Sequence, residues 1–282
     1  MSFLSNAHTH TTFCDGRSTP QEQLAAAKAL GFVSLGFSGH AFQGFDLAYC
    51  MSLEQQDAYF AEVRALQSAC AKESGAPKLY VGLEQDTLIP AEEKARQRAL
   101  CDYVIGSTHY LTVEVEGRRP AVDGDLDLLK RAVAEHYQGD PLRMAEAYFE
   151  LHAQGTEQSK PDIIGHFDLV RKYAAPLGLD TQCSRYKAMA LAALTRVRRA
   201  GGILEVNTGA IARGYAATPY PDDFLLRAWH ELGGEVTLTS DCHDARFLDC
   251  GFEDALRQIK QAGFDRVLRL GTGAGLWEEM AL

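Results

Sequence analysis

Short apolar segments alternate with helical segments along the whole chain, and this alternation restricts the fold more than any other feature. About seven segments have the composition of buried strands, at residues 3–8, 32–40, 79–86, 103–110, 162–168, 202–209 and 235–243. Helical segments lie between them, and two of these begin with the capping boxes Thr19-x-x-Glu22 and Ser52-x-x-Gln55. Because strands that alternate with helices form parallel sheets with crossover connections, we expect a closed or nearly closed α/β barrel.

The length and composition of the chain fit one large domain. Its 282 residues are 46% hydrophobic and 23% charged, which is ordinary for a globular protein. No linker or low-complexity tract divides the sequence. We therefore expect residues 1–282 to form a single domain, in which residues 111–161 are an insertion with helices of its own.

Charge and cysteine usage restrict the partners and the compartment. The net charge of −10 is spread along the chain, and an acidic chain without basic clusters is poorly suited to bind nucleic acid. We expect a small-molecule partner instead, and the sequence favours no particular oligomeric state. No apolar run reaches the roughly 20 residues that span a bilayer, and "MSFLSNAHTH" lacks the features of a secretory signal. The seven cysteines include no C-x-x-C pair, which indicates reduced thiols and a cytoplasmic protein without membrane contact.

Side chains of the types that bind metals stand at the C-terminal end of almost every predicted strand. In chain order they are His8 and His10, His40, Glu84 and Asp86, His109, His166, Asn207, and Asp241 with His243. On a strand, His8 and His10 point to the same face, because they are two residues apart. In a parallel α/β barrel the C-terminal ends of the strands converge on one mouth, where such enzymes carry their chemistry. Each residue alone is more often an ordinary polar side chain, but a metal site explains all of these positions together.

Several of these segments resemble the successive motifs of the PHP (polymerase and histidinol phosphatase) superfamily. They are "HTHTTFCDG", the strand-end His40, "GLEQD", "GSTHY", "IIGHFDLV" and "SDCHDA", and they cover essentially the whole chain in order. The segments "VDG…EAYFELHA" and "LEVNTGAIARGYAATPYP" further resemble the monofunctional histidinol-phosphate phosphatases. The resemblance implies a distorted TIM-like barrel of seven strands, the PHP fold, and hydrolysis of L-histidinol phosphate to L-histidinol and phosphate in histidine biosynthesis.

The same resemblance implies three divalent metal ions, which could be zinc, manganese or iron. Carried over residue by residue, it assigns the first ion to His8, His10, Glu84 and Asp241. Glu84 would bridge to a second ion that is held by His109 and His166, and the third ion would be held by Asp15, His40 and His243. All nine positions carry the expected residue type. The candidate catalytic residues are Glu84, Asp241 and His243.

Residues outside the metal motifs could recognise the substrate. Arg213 and Arg171 follow strand ends, and a guanidinium can fork onto phosphate oxygens, although a surface ion pair is the alternative for each. We favour the phosphate contact for Arg213. Histidinol carries a cationic amine and an imidazole, for which Asp123 or Glu114 could supply an acidic wall, if they are not simply solvated loop charges.

Two other functions are compatible with parts of the sequence. A PHP phosphoesterase that acts on another small phosphate ester, such as a nucleotide or oligonucleotide phosphate, would carry the same metal motifs. The acidic net charge and the missing basic groove argue against that reading. A non-catalytic metal-binding module is the other alternative, and the intact set of nine ligand positions argues against it.

Overall fold

The predicted strands form one sheet in which each strand pairs with the next along the chain. The computed structural model describes residues 3–282. The parallel strands are β1 (Ser5–Asn6), β2 (Ser34–Phe37), β3 (Lys78–Asp86), β4 (Tyr103–Ser107), β5 (Ile163–Ile164), β6 (Ile203–Asn207), β7 (Val236–Thr239) and β8 (Arg266–Leu270). A last strand, β9 (Trp277–Ala281), pairs antiparallel with β8. The predicted α/β class with a parallel sheet is therefore confirmed.

Backbone hydrogen bonds close the first seven strands into a ring at the end where the predicted ligands lie. The chain just beyond β1 pairs in parallel with the chain just beyond β7, at Thr9 and Cys242. The amide of His10 donates to the carbonyl of Cys242 at 2.8 Å, and the amide of Cys242 donates to the carbonyl of His8 at 3.0 Å. This closure brings the first and last metal motifs of the sequence side by side.

Two strands extend the sheet beyond the seven expected from the sequence. β8 joins β7 where Leu268 pairs with Thr237, and its Leu270 carbonyl accepts a hydrogen bond from Ser34 Oγ at 2.7 Å. The sequence interpretation missed both strands because "RVLRL" and "WEEMA" mix charged with apolar residues. Such strands are partly exposed and carry no continuous apolar run.

Helices connect the strands within the described residues. They are α1 (Pro20–Ala29), α2 (Leu53–Cys70), α3 (Ala91–Arg98), α4 (Leu126–His136), α5 (Pro141–Ser159), α6 (Ala174–Leu177), α7 (Ser184–Ala200), α8 (Gly209–Ala212), α9 (Asp223–Glu231) and α10 (Phe252–Gln261). Both predicted capping boxes are present, at the starts of α1 and α2. Within residues 3–282, no helix is both long and apolar enough to cross a membrane.

The segment 111–161 contains α4 and α5 and joins β4 to β5. α5 packs along α7 and against β4, and its Met144, Tyr148 and Phe149 are buried in the main hydrophobic cluster. This segment therefore supplies an outer helix of the barrel. The assignment of all 282 residues to one domain stays a prediction.

One aromatic side chain, Tyr103 of β4, fills space inside the ring of strands. It is fully buried, and its phenol donates a hydrogen bond to the carbonyl of Ala7 at 2.5 Å. Glycines stand opposite the ring on the two preceding strands, at Gly36 of β2 and Gly82 of β3, and a Cβ at Gly82 would lie 2.6 Å from Cζ of Tyr103. The phenol ring therefore occupies the room that side chains at these two positions would need.

Candidate metal centre

The strand ends bring all nine predicted ligands to one end of the ring. His8 and His10 follow β1 and Asp15 lies in the loop after them, His40 follows β2, Glu84 is in β3, His109 follows β4, His166 follows β5, and Asp241 and His243 follow β7. Parallel pairing in chain order is what places these residues together, because it aligns the C-terminal ends of all seven strands.

Glu84 is the central residue of this cluster. Five imidazole nitrogens lie within 3.5 Å of its carboxylate oxygens, those of His8, His10, His40, His109 and His166. Burial alone would raise the pKa of Glu84, but His40, His8 and His109 beside it hold this pKa well below its ordinary value. The residue is 2% exposed, so an ionised carboxylate is held away from water in the middle of the cluster.

The first donor group consists of Glu84, His8, His10 and Asp241. Oδ1 of Asp241 lies 3.2 Å from His10 Nε2 and 3.7 Å from His8 Nε2. Nε2 of His8, Nε2 of His10 and Oε2 of Glu84 are buried and have no partner with hydrogen-bond geometry among the described residues. Buried polar atoms nearly always have a hydrogen-bond partner. Three buried ligand atoms that lack one and converge on the same place are therefore the arrangement expected around a bound cation. Imidazole nitrogen together with carboxylate oxygen suits zinc, manganese or iron.

The second donor group consists of Glu84, His109 and His166. Oε1 of Glu84 lies 3.0 Å from His166 Nε2 and 3.4 Å from His109 Nε2. Asp86, two residues after Glu84, accepts a hydrogen bond from the amide of His109 at 2.8 Å and lies 3.3 Å from its Nδ1. Metal-binding histidines usually have a carboxylate next to the ring nitrogen that does not bind the metal. Here Asp86 lies beside Nδ1 of His109, which leaves Nε2 directed toward Glu84.

The third donor group consists of Asp15, His40 and His243, together with His10. His243 Nε2 lies 3.2 Å from Asp15 Oδ2, and His10 Nδ1 lies 3.5 Å from Asp15 Oδ1. One donor atom from each of the four residues lies within 4.8 Å of the others. The imidazole of His10 therefore stands between the first and third groups, a position that the predicted ligand assignment did not include. The side chain of Asp15 is 32% exposed, which makes this group the most accessible of the three.

Arg213 contacts two of the predicted ligands directly. Its Nη2 donates to Asp241 Oδ2 at 2.8 Å, and its Nη1 lies 2.8 Å from Nδ1 of His243. Burial alone would raise the pKa of Asp241, but Arg213 and His8 hold it well below its ordinary value. A guanidinium has five N–H donors, so these contacts leave donors that a phosphate oxygen could use.

Replacing Arg213 by alanine is expected to lower kcat/KM for phosphate release by about 10- to 100-fold. A hydrogen bond to a charged group contributes about 1.5–3 kcal/mol, and each 1.4 kcal/mol corresponds to about tenfold. Steady-state phosphate release measures the effect, with Arg227→Ala on the exposed face of α9 as the matched control. An unchanged kcat/KM in Arg213→Ala would remove Arg213 from the site.

Arg171 is placed in an ion pair, which is the alternative considered for it. Its Nε donates to Asp168 Oδ2 at 2.9 Å, its Nη2 donates to the Pro219 carbonyl at 2.6 Å, and its guanidinium lies over the ring of Tyr220. Unlike Arg213, Arg171 does not line the cavity above the cluster, so the structure gives no support to a phosphate contact from Arg171.

The next residue, Lys172, lines the site instead of Arg171. Its Nζ donates to the carbonyl of Asp123 at 2.6 Å, and both residues border the cavity above the cluster. Glu114, the other residue considered for an acidic wall, is paired with Arg119 at 3.6 Å and its side chain is 56% exposed. Of the two predicted acidic residues, Asp123 is therefore the one at the site.

A cavity of about 660 Å³ opens over the donor groups. Seven of the nine predicted ligands line it, Asp15 among them. Its remaining wall includes Asp46, Tyr49, Tyr110, Asp123 and Lys172. This volume lies in the range of pockets that enclose small organic ligands.

Sequence reasoning missed one buried residue of the site, Glu205 in the middle of β6. Its side chain is fully buried and lies 2.5 Å from Nδ1 of His8. The available signal was a single acidic residue inside the otherwise apolar segment "GILEV", at a position where solvent cannot reach it.

Known proteins resemble the chain over most of its length. The sequence profile of the PHP domain matches residues 6–209. A relative from Deinococcus radiodurans, named "Probable histidinol-phosphatase", is 32% identical over 270 residues, which are 93% of this chain and 95% of the relative.

Two solved structures share the fold. The hisK protein of Listeria monocytogenes matches with a TM-score of 0.76 at 20% identity, over 88% of this chain and 98% of that one. A histidinol phosphate phosphatase from Lactococcus lactis, complexed with zinc, L-histidinol and phosphate, matches with a TM-score of 0.69 at 22% identity, over 95% and 96% of the two chains. The profile match across most of the sequence, the Deinococcus relative and the shared fold together show that this chain belongs to the PHP domain family.

Proposed function

We propose that this chain is a metal-dependent phosphatase that hydrolyses L-histidinol phosphate to L-histidinol and inorganic phosphate, in histidine biosynthesis. The observation that carries the chemistry is the buried Glu84. Its Oε2 faces His8, His10 and His40, its Oε1 faces His109 and His166, and the residue thereby joins the donor groups. The substrate is supported by the names of the relatives from Deinococcus radiodurans and Lactococcus lactis, the second of which was solved with L-histidinol and phosphate bound.

The three donor groups would each hold one divalent cation, and zinc is favoured because the Lactococcus lactis protein binds it. The ligands are those assigned above: His8, His10, Glu84 and Asp241; Glu84, His109 and His166; Asp15, His40 and His243. Divalent cations supply positive charge for the phosphoryl oxygens and acidify the attacking water, which a phosphate monoester needs because it hydrolyses very slowly in water. Glu84 would set the distance between the first two groups, because it places one carboxylate oxygen in each of them. Arg213 keeps Asp241 ionised and oriented. Glu84, Asp241 and His243 are the residues we place nearest the reacting phosphoryl group.

An aromatic wall leads from the donor groups to a carboxylate that can receive the cationic part of histidinol. The ring of Tyr49 lies edge-on to the ligand His40, with the ring centroids 4.5 Å apart, and is nearly parallel to the ring of Tyr110. The phenol of Tyr110 donates to Asp46 Oδ2 at 2.6 Å, and the amide of Ala48 donates to Oδ1. These contacts fix the Asp46 carboxylate at the cavity wall, where an ammonium or imidazolium could bind it.

Replacing Asp46 by asparagine is expected to raise KM for histidinol phosphate by about tenfold or more, because a charge-assisted hydrogen bond contributes about 1.5–3 kcal/mol. Hydrolysis of p-nitrophenyl phosphate should not change, since that ester carries no cationic group. Asp57→Asn, at an exposed position of α2, is the matched control, and Asp123→Asn compares the second acidic residue of the wall. An equal loss for both esters in Asp46→Asn would show that Asp46 does not select the substrate.

The proposed substrate is tested by phosphate release from purified, zinc-loaded protein. Histidinol phosphate is compared with p-nitrophenyl phosphate and with nucleoside monophosphates. We expect histidinol phosphate to be preferred by orders of magnitude in kcat/KM. Comparable values for a nucleoside monophosphate would overturn the substrate assignment and favour a PHP phosphoesterase of another specificity.

All seven cysteines are free thiols, which fits a reducing compartment, and we place the enzyme in the cytoplasm on that ground. The main hydrophobic cluster runs from Phe3 to Met280, which supports a single domain with the metal centre at one end.

A further inference from the structure

Glu205 of β6 lies behind the metal centre and is surrounded by hydrogen-bond donors. Oε1 accepts from Thr239 Oγ1 at 2.6 Å and lies 2.5 Å from Nδ1 of His8. Oε2 accepts from the backbone amide of His166 at 2.7 Å and from Nδ2 of Asn207 at 3.0 Å. Three of these four contacts come from donors other than His8, namely the amide of His166, Nδ2 of Asn207 and the hydroxyl of Thr239, so the side chain is bound as a carboxylate. Its relative exposure is 0%.

This contact decides which nitrogen of His8 carries a proton. A carboxylate has no proton to donate, so Nδ1 of His8 must be the donor in the 2.5 Å contact. In the neutral ring the lone pair then lies on Nε2. That atom is buried without a hydrogen-bond partner and faces Glu84 at 3.3 Å and Asp241 at 3.7 Å. The tautomer that Glu205 selects is therefore the one that a cation in the first donor group requires.

The same carboxylate also reaches the second donor group. β6 lies between β5 and β7, so Glu205 holds the backbone amide of His166 on one side and the hydroxyl of Thr239 on the other. His8, beyond β7, is reached because the ring of strands closes between β7 and β1. One buried side chain thus connects a ligand of each of the first two groups.

We propose that Glu205 is a positioning residue of the metal centre: it fixes His8 in the Nδ1–H form and directs Nε2 into the first donor group, and thereby sets the affinity of that group for a divalent cation. The inference rests on the metal centre of the proposed function and is independent of the substrate.

The test is zinc affinity, measured by competition with a chelating dye on metal-free protein without substrate. Glu205→Gln keeps the size of the side chain, but its NH₂ group must face at least one of the present donors. We expect zinc to bind about 10- to 100-fold more weakly, as is usual when the hydrogen-bond partner of a metal-binding histidine is removed. Thr239→Val is the matched control, because it removes one donor from the same oxygen and leaves the carboxylate beside His8; its zinc affinity should stay close to that of the wild type.

A double-mutant cycle separates positioning of His8 from a general effect on the fold. In a His8→Ala background, Glu205→Gln should weaken zinc binding much less than in the wild-type background. Equal losses in both backgrounds, or unchanged zinc affinity in Glu205→Gln, would overturn the proposal. Wild-type protein that binds no zinc would instead contradict the proposed function.

If Glu205→Gln does not fold, nitrogen NMR of the zinc-loaded wild type tests the proposal instead, because it shows which ring nitrogen of His8 carries the proton. A proton on Nδ1 of His8 and none on Nε2 is expected, and a proton on Nε2 would overturn the proposal.

Discussion

Replacing Glu84 by glutamine is expected to lower kcat/KM for histidinol phosphate by about 10³-fold or more. The carboxylate is buried and is the one group shared by the first and second donor groups. Its neutral replacement would remove the negative charge that the two cations proposed for these groups would need between them. Loss of correctly placed metal charge costs several kcal/mol of transition-state stabilisation, and about 4 kcal/mol already corresponds to about 10³-fold.

Steady-state phosphate release with excess zinc measures this effect, and metal analysis of the same preparation shows whether cations were lost. Glu253→Gln, at an exposed position of α10, makes the same chemical change away from the site and should leave the rate unchanged. Activity of Glu84→Gln within about tenfold of the wild type would contradict a bridging role for Glu84.

Replacing Tyr103 by alanine is expected to lower the free energy of unfolding by about 3–5 kcal/mol, the usual cost of truncating a buried aromatic residue. The ring is fully buried between Gly36 and Gly82, which have no side chains that could fill the space it leaves. Urea unfolding of the metal-free protein measures the change without a contribution from metal binding.

Two variants make this prediction specific. Tyr103→Phe keeps the ring and leaves the carbonyl of Ala7 without its phenol donor, so it should cost only about 1–3 kcal/mol. Tyr215→Ala removes a tyrosine that is 55% exposed and should cost less than about 1 kcal/mol. A loss below about 1 kcal/mol in Tyr103→Ala would contradict the packing of its ring inside the strands.

The positions of eight of the nine predicted ligands follow from the sequence because strand geometry is regular; the ninth, Asp15, lies in a loop and was assigned by the family resemblance alone. In β3, Gly82 and Glu84 are two residues apart and share a face, as do Tyr103 and Ile105 in β4. Once helices alternate with strands, the sheet is parallel and the strand ends must meet. A histidine or carboxylate at such an end is therefore placed without knowledge of any loop, as His40 and His109 illustrate.

Contacts between residues that are distant along the chain could not be predicted in this way. Glu205 lies 197 positions from His8, and only the closure of the ring between β7 and β1 brings them together. The sequence favours a phosphate contact for Arg213 over an ion pair, but it does not show that this side chain also reaches Asp241 and His243. It does so because α8 begins directly after β6, next to the end of β7. Asp46 and Tyr49 lie in a connection between β2 and α2, whose path over the cavity no periodicity specifies.

Titration of the metal-free protein with zinc, followed by phosphate release from histidinol phosphate, tests the metal-dependent function most directly. We expect no release before zinc is added, a rise with each addition, and a plateau when about three ions are bound per chain, because the ligands of the cluster must be assembled around the cations before the site is complete. Release by the metal-free protein at the rate of the zinc-loaded protein would contradict the function proposed for this cluster.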